Sequence, residues 1–101
     1  MTKVFEIHEV TFEKDISINQ LSSKTIEFSL PDEVFGPNHI PVGIAITDYE
    51  LPTSVAITGY AVELGTGQII SGKVRFTLTN FANIPVDGHA KITVIFFVKT
   101  F

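Results

Sequence analysis

The chain has 101 residues, with 7 Lys and Arg against 11 Asp and Glu, a formal net charge of −4. That length fits a single domain, residues 1–101, able to bury about 65% of its unfolded surface, so folding needs neither metal nor disulfide. The acidic balance argues against nonspecific nucleic-acid binding, no apolar run approaches the roughly 18 residues of a membrane span, and the lack of cysteine removes disulfides, thiolate metal sites and thiol catalysis.

In chain order the apolar period is two almost everywhere. Phe5 and Ile7 share one parity and Val10 and Phe12 the other, so the first segment changes phase near His8, through a bulge or a short turn. Lys24–Leu30 places Ile26, Phe28 and Leu30 on one face. Ile40–Thr47 sets Ile40, Val42, Ile44 and Ile46 against Pro41, Gly43, Ala45 and Thr47, and Pro41 marks that strand as an edge or as starting there. Val55 and Ile57 are out of step with Tyr60, Val62 and Leu64, which predicts a bulge at Gly59. Val74, Phe76 and Leu78 alternate with Arg75, Thr77 and Thr79. Ile92–Val98 is apolar on both faces, the pattern of a central strand that is doubly covered or meets another chain. Turns are expected at Pro31-Asp32-Glu33, Gly36-Pro37-Asn38, Leu51-Pro52-Thr53, Gly65-Thr66-Gly67 and Val86-Asp87-Gly88. No window carries a capped 3.6-residue stripe. The fold class is all-β, an antiparallel β-sandwich of about seven strands with no substantial helix.

Little in the chain looks like catalysis. Gly67-Gln68-Ile69-Ile70-Ser71-Gly72-Lys73 has the spacing of a phosphate-binding loop as far as the lysine. That motif then requires Ser or Thr for magnesium and a helix whose amides cradle phosphate, whereas Val74 opens a strand. The segment reads as a hairpin. His8, His39 and His89 are widely separated, none has zinc-ligand spacing, and each reads as a surface or turn histidine. Asp48 and Glu50 share a parity, but two carboxylates are too few for a calcium loop. The expectation is therefore no enzyme, no catalytic residue, no metal and no cofactor.

The more informative signal is missing charge. Between Val34 and Tyr60 the only acidic or basic side chains are Asp48 and Glu50. The small uncharged residues Pro41, Gly43, Ala45 and Thr47, with Phe97 and Phe101 near the C-terminus, are the expected oligomer contacts, since interface cores are depleted in charge. The alternative is that these are two internal faces of the sandwich.

Three segments in order resemble the H-type lectin fold, a small β-sandwich that assembles as trimers. They are Ile26-Glu27-Phe28 with Phe35 and Ile40-Pro41-Val42-Gly43-Ile44, then Ile57-Thr58-Gly59-Tyr60-Ala61-Val62, then Ile92-Thr93-Val94-Ile95-Phe96-Phe97-Val98. The ending is also similar to C-terminal modules of bacteriophage tail-fibre and baseplate proteins. The resemblance implies a homo-oligomer, a trimer before a dimer, in a virion appendage or lectin-like module that contacts cell-surface glycan or other virion proteins. Nucleic acid and membrane insertion have no part in it. The other functions in view are a purely architectural capsid or tail decoration subunit, and a monomeric enzyme or metal-dependent ligand binder using the histidines. A recognition site should lie on loops at one end of the sandwich. The segments offering polar groups beside an aromatic are Asn38-His39, Asp48-Tyr49-Glu50 and Asn80-Phe81-Ala82-Asn83, with Tyr49 the best platform because Tyr60 has core parity.

Overall fold

The computed structural model describes residues 5–65 and 71–101, and among them it has six strands and no helix. These are β1 (Phe5–Ile18), β2 (Ser23–Ser29), β3 (His39–Glu50), β4 (Val55–Gly65), β5 (Ser71–Asn80) and β6 (Val86–Thr100). They form two three-stranded antiparallel sheets, sheet A in the order β1-β6-β3 and sheet B in the order β2-β5-β4. The molecule is elongated, 55 × 28 × 17 Å, with a radius of gyration of 15.4 Å against about 13 Å for a compact chain of this length.

The expected seven strands become six because β1 runs straight through the phase change at His8. Its pairing with β6 continues without a slip from Phe5↔Lys99 to Ile18↔Val86. Phe12, Ile16 and Ile18 therefore face the core, while Phe5 and Ile7 turn outward and are exposed. β3 is an edge strand, as Pro41 predicts, and carries register shifts at Val42 and Thr47. The first shift ejects Val42, which is 55% exposed rather than a core residue. In β4 the register shifts between Ile57 and Gly59, at the expected place. Val86-Asp87-Gly88 is not a turn but the start of β6. A Cβ on Gly88 would lie 2.7 Å from the Pro52 ring, so this glycine serves close approach within a strand. The turn lies earlier, over Phe81–Pro85.

The core fills the space between the sheets. Ile92, Val94, Phe96 and Val98 of β6 face Val74, Phe76 and Leu78 of β5, all fully buried. Phe12 ties the layers together, its ring 5.0 Å from Phe28 and 6.0 Å from Phe76 in sheet B, and edge-on to Phe96 at 6.4 Å in its own sheet. One end is plugged by the β2–β3 connection, where Leu30, Val34 and Phe35 are buried. A single turn there donates the Val34 and Phe35 amides to the Pro31 carbonyl.

The other end is organised by Asn80, a polar side chain at 0% exposure. Its Nδ2 donates to the carbonyls of Ile18 and Asn19 at 3.3 Å and of Ile84 at 2.9 Å. Its Oδ1 accepts from Ser54 Oγ at 2.8 Å and from the Ala82 amide at 3.0 Å. One amide thus joins three loops: β1–β2, β3–β4 and β5–β6. Asn80→Ala would strand several buried partners and should lower unfolding free energy by about 2 to 4 kcal/mol, the scale of unsatisfied buried groups. Ser54→Ala, which removes one partner, should cost about 1 kcal/mol. Urea midpoints at unchanged slope check both, and a neutral Asn80→Ala would contradict this account.

Candidate functional site

The outer face of sheet A changes character along its length. Strict alternation in β1 and β6 sends Phe5, Ile7, Glu9, Thr11, Glu13 and Asp15 to the side of Lys99, Phe97, Ile95, Thr93, Lys91 and His89. β3 adds Gly43 beside Phe97 and Ala45 beside Ile95. Toward the end nearest the β2–β3 loop apolar residues gather, with Ile7, Phe97 and Gly43 in one row across three strands, between the Phe5–Lys99 row and the Glu9–Ile95–Ala45 row. The Phe97 ring leans over Gly43, where an added Cβ would sit 3.3 Å from Phe97 Cδ2. Thr11 and Thr93 share a hydrogen bond at 3.1 Å in the middle of the face.

The far end of that face is charged. His89 Nδ1 lies 2.8 Å from Asp15 Oδ1 and its Nε2 2.9 Å from Glu13 Oε1, so both ring nitrogens meet a carboxylate. Lys91 and Glu50 form a loose pair at 3.8 Å. The hydrogen bond to Asp15, then that to Glu13, holds the His89 pKa above the ordinary 6.5. The bond from His89 holds the Glu13 carboxyl below its ordinary 4.5, aided by Lys91. All three side chains are solvent-exposed, so this is a cross-strand brace rather than a buried charge site.

Two further surfaces flank the sandwich. On the outer side of sheet B, Arg75 Nε donates to Glu27 at 2.8 Å and its other nitrogens reach Glu63 at 3.2 and 3.3 Å, a ladder across three strands. Beside that ladder Thr25, Gly59, Ala61 and Thr77 form a shallow dish, bordered by the β4 edge at Tyr60. Between the two sheets, at the flank where β3 and β4 are the edges, an apolar cleft of about 250 Å³ opens between Pro41, Val42 and Ile44 on one side and Val62 and Leu64 on the other, with Phe96 at its base.

The sequence-predicted ligand residues divide between the two ends. Asn38 and His39 sit where β3 begins, with the Asn38 carbonyl accepting from the Phe101 amide. Asp48, Tyr49 and Glu50 end the same strand, about 30 Å away at the usual rise per residue. Tyr49 is exposed, with Asp48 Oδ1 accepting its backbone amide at 2.9 Å, and it lines a small pocket with Lys91 and Thr93. Asn83 is exposed on the β5–β6 loop, whereas the Asn80 side chain lies beneath the surface and is fully used by the loops. Tyr60 keeps core parity, opposite Phe76, yet is 51% exposed because β4 is an edge.

The expected interface residues divide as well. Gly43, Ala45 and Phe97 share the outer face of sheet A. Pro41 pairs with the core residue Val98 and lines the cleft, since the shift at Val42 breaks the alternation. Thr47 sits in the second bulge, donating to the Thr93 carbonyl at 3.4 Å. Phe101 is exposed just past β6, with Lys99 Nζ 5.6 Å from its ring. Phe5 and Ile7 were not among the expected contacts; the signal for them is the phase change at His8, once it is taken as a change of face. The Glu13–Asp15–His89 brace needs the β1–β6 register before it can be seen. The phosphate-loop echo falls largely on residues 66–70, outside the described residues, and Ser71–Val74 open β5. Among the described residues no group of three His, Cys, Asp or Glu side chains is arranged to hold a metal. Comparison with protein-family models, with curated proteins and with solved structures finds no match to this chain.

The brace has a pH signature. The His89 contribution to stability is complete below its ordinary value and is lost as pH rises through its raised value. The Glu13 contribution is complete above its ordinary value and is lost as pH falls through its lowered one. Both are present between about 4.5 and 6.5. In an NMR titration the His89 ring should change protonation above 6.5, and Asp15→Asn should move that midpoint downward. An unmoved midpoint would remove the brace.

Proposed function

We propose that this chain is a non-enzymatic structural or recognition module that acts as a homo-oligomer. The observation that carries the reading is the gathering of Phe5, Ile7, Gly43, Ala45, Ile95 and Phe97 on the sheet A outer face, where Lys99 beside Phe5 and Glu9 beside Ile95 are the charged neighbours. A monomeric sheet face of this kind normally alternates apolar-in with polar-out. Contiguous exposed apolar surface marks association sites. The trimeric order and the setting, a virion tail or baseplate appendage or a lectin-like glycan binder, come from the resemblance of the three strand segments. An architectural decoration subunit uses the same self-association without a small ligand.

Sedimentation velocity on wild type and Ala45→Arg tests the self-association. Ala45 stands beside Ile95 in this gathering, so an arginine there should release monomer, because an unpaired buried charge costs several kcal/mol. An oligomeric wild type with an unchanged variant would clear this face. For glycan recognition the exposed Tyr49, flanked by Asp48 and Glu50, supplies the stacking ring and acceptors. On a glycan array, Tyr49→Ala should weaken binding by about tenfold or more, a loss of at least about 1.4 kcal/mol. Wild-type silence across the array favours the architectural form.

A further inference from the structure

We infer that the end of the sandwich organised by Asn80 is a membrane-docking tip, which seats Leu21, Phe81 and Ile84 in the interfacial layer of a bilayer with zwitterionic headgroups. The inference stands apart from the self-association reading and uses none of its residues. Three loops meet at this end, residues 19–22, 51–54 and 81–85. They read Asn-Gln-Leu-Ser, Leu-Pro-Thr-Ser and Phe-Ala-Asn-Ile-Pro, without one charged side chain. The β2–β3 connection at the opposite end carries Asp32 and Glu33. Leu21, Phe81 and Ile84 are 65%, 63% and 67% exposed. The Leu21 amide donates to the Ala82 carbonyl at 3.1 Å, so the first loop lies against the third. β6 alone spans about 50 Å at the ordinary strand rise. The strands therefore run along the 55 Å axis, and the loops form an end that can meet a plane surface.

Two observations point to lipid rather than to a protein partner. The first is the backbone of the loops. Lipid offers no hydrogen bonds, so a loop that enters it must pair its own polar groups. Here Asn80 Nδ2 donates to the Ile18, Asn19 and Ile84 carbonyls. The Ser22 carbonyl accepts from the Asn80 amide and the Ser54 carbonyl from the Phe81 amide, both at 2.9 Å. A protein partner, which brings hydrogen bonds of its own, makes no such demand. The second is area. At about 200 Å² for a large apolar side chain, three that are two-thirds exposed present about 400 Å². That is half of the roughly 800 Å² per partner of a stable protein interface. Insertion into lipid has no such threshold, and its strength rises with the apolar area buried. Leu21 adds a further sign. Its φ of 51° suits glycine or asparagine better, yet the position holds a large apolar side chain turned to solvent.

Charge selects the headgroup. On the strands that lead into these loops the charged side chains nearest the tip are Lys24 against Asp15, Glu50 and Asp87, in a chain of net charge −4. Anionic lipid attracts clusters of Lys and Arg, so a zwitterionic surface is the one that fits. Contact of this depth differs from the spanning segment that the sequence excludes. A scan for apolar runs misses it, because the three residues come from two loops that only the fold brings together.

The chain has no tryptophan, so Phe81→Trp places a single fluorescent reporter at the tip. With phosphatidylcholine vesicles its emission should shift to the blue and be quenched by lipids brominated on the acyl chain. Leu21→Asn, which suits the positive φ, and Ile84→Ser should each lower the partition coefficient by about tenfold in that background. Replacing about a third of the lipid by phosphatidylserine should not raise it. Phe101→Ser, at an exposed apolar residue of the opposite end, should leave it unchanged. Circular dichroism and urea midpoints check that each variant stays folded. An emission unmoved by phosphatidylcholine would overturn the inference and leave the tip to a protein partner. So would binding that requires phosphatidylserine and fades with salt, or binding that Phe101→Ser weakens as much as Leu21→Asn does.

Discussion

The unslipped ladder between β1 and β6 is the constraint on which the rest of the molecule depends. Fourteen residues of β1 pair in one register, so every side chain on both strands is committed to a face by parity alone. The inner parity delivers Phe12, Ile16 and Ile18 from β1 and Ala90, Ile92, Val94, Phe96 and Val98 from β6, eight of the sixteen buried apolar residues among those described. The outer parity, with no further freedom, sets Ile7 beside Phe97 and Asp15 beside His89. A slip of one residue would exchange these sets, exposing the core and burying the brace. The gathering of apolar residues on the outer face is thus a consequence of the same register that builds the interior.

β3 responds differently to its place on the other edge. It accommodates Pro41 and then two bulges, so its alternation breaks twice within twelve residues. The first break turns Val42 toward solvent and leaves Pro41 and Ile44 along a gap between the sheets. Sheet B is narrower in reach, since β2 has seven residues against fourteen in β1, and its edge strand β4 has its own register shift beside Gly59. The cleft forms where two irregular edges face each other. At the opposite end Asn80 replaces such looseness with a satisfied polar centre, and the loops it joins carry exposed Leu21, Phe81 and Ile84 on a rigid base. Leu21 adopts a positive φ of 51°, an uncommon backbone for a non-glycine residue, and its amide donates to the Ala82 carbonyl.

Strand alternation was legible in the sequence wherever one face is buried and the other wet. β2, β5 and the bulge in β4 follow the apolar pattern almost residue for residue, as does the central position of β6. The phase change at His8 was ambiguous because periodicity records a parity switch but not its cause; a bulge and a run of outward apolar residues leave the same trace. Gly88 differs from its expected turn for a related reason. A glycine beside Asp looks like a turn locally, and the Pro52 ring that requires it comes from thirty-six residues upstream. The candidate site was less legible still. Asn80 looked like a loop amide available to ligand, yet three loops distant in sequence converge on it. The division of Pro41 from Gly43 and Ala45 follows from a register shift that no composition reveals.

The edges and the faces of this sandwich are treated differently, and the contrast bears on which contacts its surface permits. An open edge offers unpaired backbone groups to any strand and so leads to indiscriminate pairing. Here Lys14 stands at a core-parity position on β1, opposite Ala90, and Lys24 does the same on β2, opposite Leu78, its Nζ donating to the Ser17 carbonyl of β1. Inward-placed lysines of this kind block strand addition on that flank, and Pro41 with the β3 bulges blocks it on the other. The outer face of sheet A is less heavily guarded. Its central row, Ile7, Phe97 and Gly43, lies between Lys99 on one side and Glu9 on the other. Contacts between side-chain surfaces depend on shape, so they can select one geometry where backbone pairing selects almost none. Guarded edges therefore disfavour growth of an extended sheet by strand addition, and leave the side-chain surfaces as the places where any contact can be specific.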